Sequence, residues 1–271
     1  MKSPKNEGKT SKIQSIVLIV LGFFLIFAIL TSMILYTYYD RSLVDMIQGI
    51  GREEPKPEEP EPEPEPKPAL LAESTANENF TNNLWIFSDA CLGGVMDLTV
   101  SASQRHFATS FISTTNYMEA LFSGIAFPEQ SYTMVELLST NTPKYLLINF
   151  SGTGLSLPKD ATENLYRSIV DLILKTCPET TVILSGPIPV SKSSEISAQA
   201  VIDLDTTLAD LCDSLHKSGK NVYYLASPAS FFDTDKHLKT EYAEENGVLN
   251  PLGCEVYFNY VLRHPVPASK E

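Results

Sequence analysis

Acyl transfer needs a nucleophilic hydroxyl or thiol and a base within hydrogen-bond reach. The nucleophile candidates gather where Leu84-Trp85-Ile86-Phe87 runs into Ser88-Asp89-Ala90-Cys91. A Cys91 facing outward at a helix N-terminus would have a lowered thiol pKa. Bases are scarcer: the histidines are His106, His216, His237 and His264. His216 falls in an expected helix and His264 after the last one, which predicts surface placement for both. His106 leads toward a second strand near any pocket, and His237 is the best remaining candidate. The four cysteines, Cys91, Cys177, Cys212 and Cys254, match no zinc spacing. They allow three full disulfide pairings, with buried free thiols as the equal alternative. No cofactor is expected.

Stepping along the chain from about Asn82, short apolar runs alternate with amphipathic stretches. Leu84 to Phe87, Tyr145 to Ile148, Thr181 to Leu184 and Asn221 to Leu225 read as buried strands, brief and bounded by polar or turn residues. Ala161 to Lys175 places Leu165, Ile169, Leu172 and Ile173 on one helical face, and Ala198 to Leu215 does the same with Ile202, Leu208, Leu211 and Leu215. Pro251 suits the first turn of a final helix carrying Val256, Tyr257, Tyr260 and Val261. Strand and helix in regular alternation predict an α/β fold, a three-layer α/β/α sandwich on a parallel sheet. In such sheets the ligand crevice lies beyond the carboxyl ends of the strands, here after Phe87, Ile148, Leu184 and Leu225.

The first third of the chain is of another kind. Residues 13–39 contain no charge and are dominated by Ile, Leu, Val, Phe and Met, enough to span a bilayer core at about 1.5 Å per residue. Lys2, Lys5, Lys9 and Lys12 precede this run, which predicts a cytoplasmic tail over 1–12 and an extracellular C-terminal domain. A cleaved signal peptide is the competing reading, but the run is longer than an h-region and Thr37-Tyr38-Tyr39-Asp40 is no small-residue cleavage site. An uncleaved signal anchor fits better. A juxtamembrane segment and linker follow over 40–81. Its Glu-Pro alternation from Arg52 to Pro68 favours extended polyproline II, able to hold the domain at 82–271 on the order of 50 Å from the membrane. The net charge of −13 argues against a nucleic-acid partner, since phosphate binding needs a basic surface.

The loops after these strands resemble the motif blocks of SGNH (GDSL-type) hydrolases, a likeness running from about Asn82 to His264. Ser88-Asp89-Ala90 stands where that family has Gly-Asp-Ser, so Ala90 takes the nucleophile's place. Gly124, in Leu121-Phe122-Ser123-Gly124, matches the block whose glycine amide serves the oxyanion hole. Asn149 and Ser151 match Gly-x-Asn, with serine replacing the asparagine donor. Ser185-Gly186-Pro187-Ile188-Pro189-Val190 resembles the Ser-x-x-Pro-Val turn. In the last block Glu245 takes the acid's place and Val248 the histidine's; with a one-residue deletion Asn246 takes the acid's place and the histidine is missing.

The resemblance implies a flavodoxin-like sandwich and a site at Ala90, Glu245 and Val248, with a pocket drawn from Ser88, Asp89, Gly124, Asn149 and Ser151. Alanine and valine can neither attack nor move a proton. Losing the serine or the histidine of a hydrolytic triad costs about 10⁶ in turnover, roughly 8 kcal/mol of barrier. Two functions are therefore expected to compete. One is a degenerate SGNH domain that binds a cell-envelope glycan or a membrane-protein partner. The other is an active esterase or acyl transferase on O-acylated envelope polysaccharide, using a nucleophile such as Ser88 or Cys91.

Overall fold

The computed structural model describes residues 69–92, 105–110, 112–124, 127–244 and 248–267. The expected tail, anchor and most of the Pro/Glu linker lie outside the described residues, as do Gly93, Gly94, Glu245 and Asn246. Among the described residues, no helix is long and apolar enough to cross a membrane.

The central element is a seven-stranded sheet made of β1 (Leu84–Asp89), β2 (Arg105–Thr109), β3 (Leu121–Gly124), β4 (Phe127–Thr133), β5 (Tyr145–Asn149), β6 (Thr181–Ser185) and β7 (Val222–Leu225). Their spatial order is β4-β3-β2-β1-β5-β6-β7. β1 runs parallel to β2 and β5, β5 to β6, and β6 to β7, whereas β3 is antiparallel to both β2 and β4. The expected all-parallel sheet is therefore a mixed one. β3 is four residues long and β4 carries Pro128, Glu129 and Gln130, so neither shows the apolar run of a buried strand. β4 is an edge strand, where proline and polar residues are tolerated because one side pairs with nothing.

Helices cover both faces: α1 (Glu78–Asn82), α2 (Met134–Thr140), α3 (Ser151–Ser156), α4 (Lys159–Thr176), α5 (Ala198–Lys217) and α6 (Pro251–Leu262). Alternation along β1 divides the core. Trp85 and Phe87 join residues of α2, α4 and α5 in one layer. Leu84 and Ile86 join Phe80 of α1 and Cys254, Tyr257, Phe258 and Val261 of α6 in the other. In α4, Leu165, Tyr166, Ile169, Val170 and Ile173 are buried, much as the periodicity predicts. In α5 Leu208, Leu211 and Leu215 are buried as the stripe predicts, but at its start Val201 and Leu204 are inside while Ile202 is exposed. Asn250 caps α6 by accepting from the Gly253 amide at 2.8 Å, and Pro251 occupies the first turn.

Packing begins ahead of Asn82. Leu71 N donates to Tyr224 O and Tyr224 N to Ala69 O, both at 2.8 Å, so the entering chain covers the outer edge of β7. Glu73 pairs with Arg263 at 3.0 Å and the Ser74 amide donates to the Arg263 carbonyl. All four cysteines are free thiols.

Candidate functional site

Alternation at the end of β1 sends neighbouring side chains to opposite faces of the sheet. Asp89 turns toward α3 and Ser88 toward α6. Beyond them the chain tightens into a single 3-10 turn, Ala90 to Leu92, which leaves Ala90 exposed.

Asp89 organises one side. Its carboxylate accepts from the Cys91 amide at 3.1 Å and from the Thr153 amide at 2.9 Å, tying the β1 turn to α3. Gly152 allows this approach, because a Cβ there would lie 2.9 Å from Cys91 Sγ and 3.2 Å from Asp89 Oδ2. Burial raises the Asp89 pKa, and the backbone donors at Thr153, Cys91 and Gly152 oppose that rise. Burial, reinforced by the Asp89 charge and by a hydrogen bond to its carboxylate, pushes the Cys91 thiol up to about 12. This corrects the expectation of an activated thiol: desolvation and a neighbouring anion both disfavour the thiolate.

Above this turn lies a cleft of about 240 Å³ lined by Asp89, Ala90 and Cys91 from β1, Ser110, Ile112 and Ser113 from the end of β2, and Gly152, Thr153, Ser156 and Leu157 from α3. It sits at the carboxyl ends of β1, β2 and β5, where the crevice of a parallel α/β sheet is expected. None of the four histidines lines it, and neither does Val248. The contributions of Ser110, Ile112, Ser113 and Ser156 have no motif to announce them. Only their position just after β2 and within α3 points to the cleft.

On the other face the polar groups are sealed. Ser88, 0% exposed, is hydrogen-bonded to His106 Nε2 at 2.7 Å, and His106 of β2 is itself 4% exposed. His106 Nδ1 is buried without a hydrogen-bond partner. Desolvation lowers this imidazole's pKa to about 3, so it is neutral at ordinary pH. Asn149 lies fully buried with Nδ2 3.1 Å from Tyr257 OH and 3.2 Å from both Ser185 Oγ and the Gly186 carbonyl. The Ser151 hydroxyl donates to Asn149 Oδ1 and accepts from the Ile188 amide at 3.0 Å. Ser185 Oγ and Tyr257 OH are 2.8 Å apart. Asn149 and Ser151 are thus engaged in joining β5, the turn after β6 and α6. Gly124, the last residue of β3, pairs with Phe107 in the middle of β2, away from the carboxyl end of that strand, and a Cβ there would come 2.9 Å from the His106 carbonyl.

The remaining histidines lie elsewhere. His264, expected at the surface, is 7% exposed: its Nδ1 donates to the Tyr260 carbonyl at 2.7 Å and its ring stacks on Tyr260 at 4.1 Å, folding the chain back on α6. His216 Nδ1 donates to the Val222 carbonyl at 2.9 Å. His237 sits in a turn closed by Asp233, whose carboxylate accepts from the His237 amide at 3.0 Å. The Ser185-Gly186-Pro187 turn is held by Asp205 of α5, which accepts from Tyr224 OH at 2.7 Å and from Ser227 Oγ at 2.6 Å. Gly186 is required there, since a Cβ would fall 2.6 Å from the Ser227 amide.

No protein-family model matches the sequence. No curated protein matches it either. Solved structures similar to it include a protein described as an acylhydrolase from Bacteroides fragilis, at 14% identity over 70% of this chain and 88% of that one, with a TM-score of 0.48. A GDSL-like lipase from Bacteroides thetaiotaomicron is similar at 12% identity over 70% and 89%, TM-score 0.47. A family 3 carbohydrate esterase from Talaromyces cellulolyticus is similar at 10% identity over 66% and 93%, TM-score 0.45. Setting the β3–β4 hairpin aside, the five parallel strands in chain order lie 2-1-3-4-5 across the sheet, the flavodoxin-like arrangement. With that order the chain is a flavodoxin-like α/β sandwich, with Ser88-Asp89-Ala90 closing β1 and Ser185-Gly186-Pro187 leaving β6.

Proposed function

We propose that this is a catalytically degenerate SGNH-like domain, held outside a membrane by residues 13–39, that binds a cell-envelope glycan through its cleft; a membrane-protein partner is the other ligand this reading allows. One observation carries it. Ala90, at the family's nucleophile position, lines an open cleft that no imidazole lines. Without a base to accept its proton and return it to the leaving group, a hydroxyl reaching that cleft stays a weak nucleophile. The raised pKa of the Cys91 thiol, which burial and the Asp89 charge both favour, supports the same reading.

The rival, an esterase with another nucleophile, has one observation in its favour: Ser88 and His106 are within hydrogen-bond reach of one another. Their burial weighs against it, as does the absence of a hydrogen-bonding partner that would orient the imidazole through Nδ1. Incubating the purified full chain with short-chain aryl esters and acetylated oligosaccharides tests the proposal. No turnover above buffer is expected, and turnover abolished by Ser88→Ala would overturn it.

A further inference from the structure

The cleft over Ala90 is small for a polymer, since ligand pockets commonly run from about 300 to 1,000 Å³. A larger cavity of about 420 Å³ lies on the other side of α3, between the start of α4 and the first half of α5. Gly152, Thr153 and Ser156 of α3 line the cleft, Gly154 and Leu155 line the cavity, and Leu157 lines both. The two depressions therefore share a rim at a half-buried leucine.

We propose that they form one saddle-shaped surface straddling α3, which takes a neutral, hydroxyl-rich oligosaccharide across Leu157; this rests on the reading of the Ala90 cleft as a binding site and adds a second lobe to it.

The chemistry of the lining argues for that class. In the larger lobe Thr206 donates to the Ile202 carbonyl at 2.9 Å and Thr207 to the Asp203 carbonyl at 2.7 Å, while Thr162 Oγ1 lies 3.2 Å from the Pro158 carbonyl. In the cleft Ser156 donates to the Gly152 carbonyl at 2.7 Å and Ser113 to Asn116 Oδ1 at 2.9 Å. Hydroxyls whose protons are spent on the protein offer a ligand only acceptor lone pairs. Asp203 adds a carboxylate acceptor in the larger lobe. The matching ligand must be rich in O–H or N–H donors, as sugars are. A polyphosphate brings only acceptors and negative charge to this surface, and a uronate polymer adds a negative charge on every ring. Lys159, paired with Glu163 at a loose 3.9 Å, supplies a donor to ring or acetamido oxygens. Leu155, Leu157 and Leu204 give an apolar floor for C–H faces.

Calorimetric titration of the full chain with fully N-acetylated chitotetraose and cellotetraose, and with polyphosphate as the polyanion, tests the proposal. Binding of at least one neutral tetrasaccharide is expected, weakened about tenfold by Asp203→Asn and by Lys159→Ala and weakened as well by Ala90→Phe. Neutral binding that responds to Ala90→Phe but ignores Asp203→Asn and Lys159→Ala would remove the second lobe while leaving the cleft reading intact. Polyphosphate binding without tetrasaccharide binding would overturn the ligand class. Failure of all three probes to bind would overturn the proposal together with the glycan reading of the cleft.

Discussion

Ser88 and Asp89 are neighbours in sequence and part of the same strand, yet they serve two unlike regions. Asp89 lies under an open cleft whose exposed turn carries only a methyl group at Ala90. Ser88 lies in a sealed layer where a serine, a neutral imidazole, an asparagine, two further serines and a tyrosine are hydrogen-bonded beneath α6. A serine–histidine pair persists where substrate has no access, and no histidine lines the cleft, where it has access. The same polar groups that could do chemistry in a cleft hold loops together in a core, because a buried donor or acceptor left without a partner costs about 1–3 kcal/mol.

The comparison breaks most readily through pH. His106 has a folded pKa of about 3 against an ordinary 6.5, so the unfolded chain takes up a proton that the folded chain refuses. Stability is lost as pH falls from about 6.5 toward 3, by on the order of 4 kcal/mol at the acid end. Denaturant unfolding measured across that range should show the loss, and His106→Leu should flatten it. A slope unchanged in His106→Leu would mean that the sealed layer is wet. Asp89 acts with the opposite sign. Its pKa is raised on folding, so its contribution is fully present below the ordinary carboxyl value of 3.8 and declines as pH rises through its folded value.

Next in size is Asn149→Ala, which strands the Ser151 hydroxyl proton and leaves Tyr257 OH with Ser185 alone within the sealed layer. A destabilisation of about 3 kcal/mol is expected by urea denaturation, with the fold retained. A loss under about 1 kcal/mol would show that the layer does not depend on this residue.

The cleft side should respond weakly. Iodoacetamide at pH 7.5 should leave Cys91 unlabelled in the native chain and label it after denaturation, since its pKa near 12 keeps the thiolate scarce. Native labelling within minutes would erase the distinction between an inert turn and an active one. Smallest of all is Ala90→Ser, an exposed change expected to shift stability within about 0.5 kcal/mol and to create no esterase activity with aryl acetates, because no imidazole lines the cleft. Hydrolysis gained by that one substitution would mean that a hidden base reaches the cleft.

Much of the architecture is legible in the residues. β1, β5, β6 and β7 are strands of four to six residues built around apolar runs, and α4 and α6 follow from apolar periodicity and a first-turn proline. The hairpin was not legible, since β3 is only four residues long, too short for its alternation around the buried Phe122 to stand out, and β4 is a polar edge strand. The one-position slip at Ile202 has another cause: Val201 and Ile202 are both apolar and β-branched, and packing against the sheet chose between them.

For the site, the sequence alone determined that the alanine at position 90 and the valine at 248 cannot carry protons in any fold. It also determined that the end of β1 would meet the loop after β5, because parallel strands deliver their carboxyl ends to one side. Tertiary structure decided what the surviving polar residues are for. The direction a side chain takes from its strand, and hence whether water reaches it, depends on which layer packs above it. That is why Ser88 and His106 are sealed in the core, Asp89 underlies the cleft, and Cys91 beside it is inert.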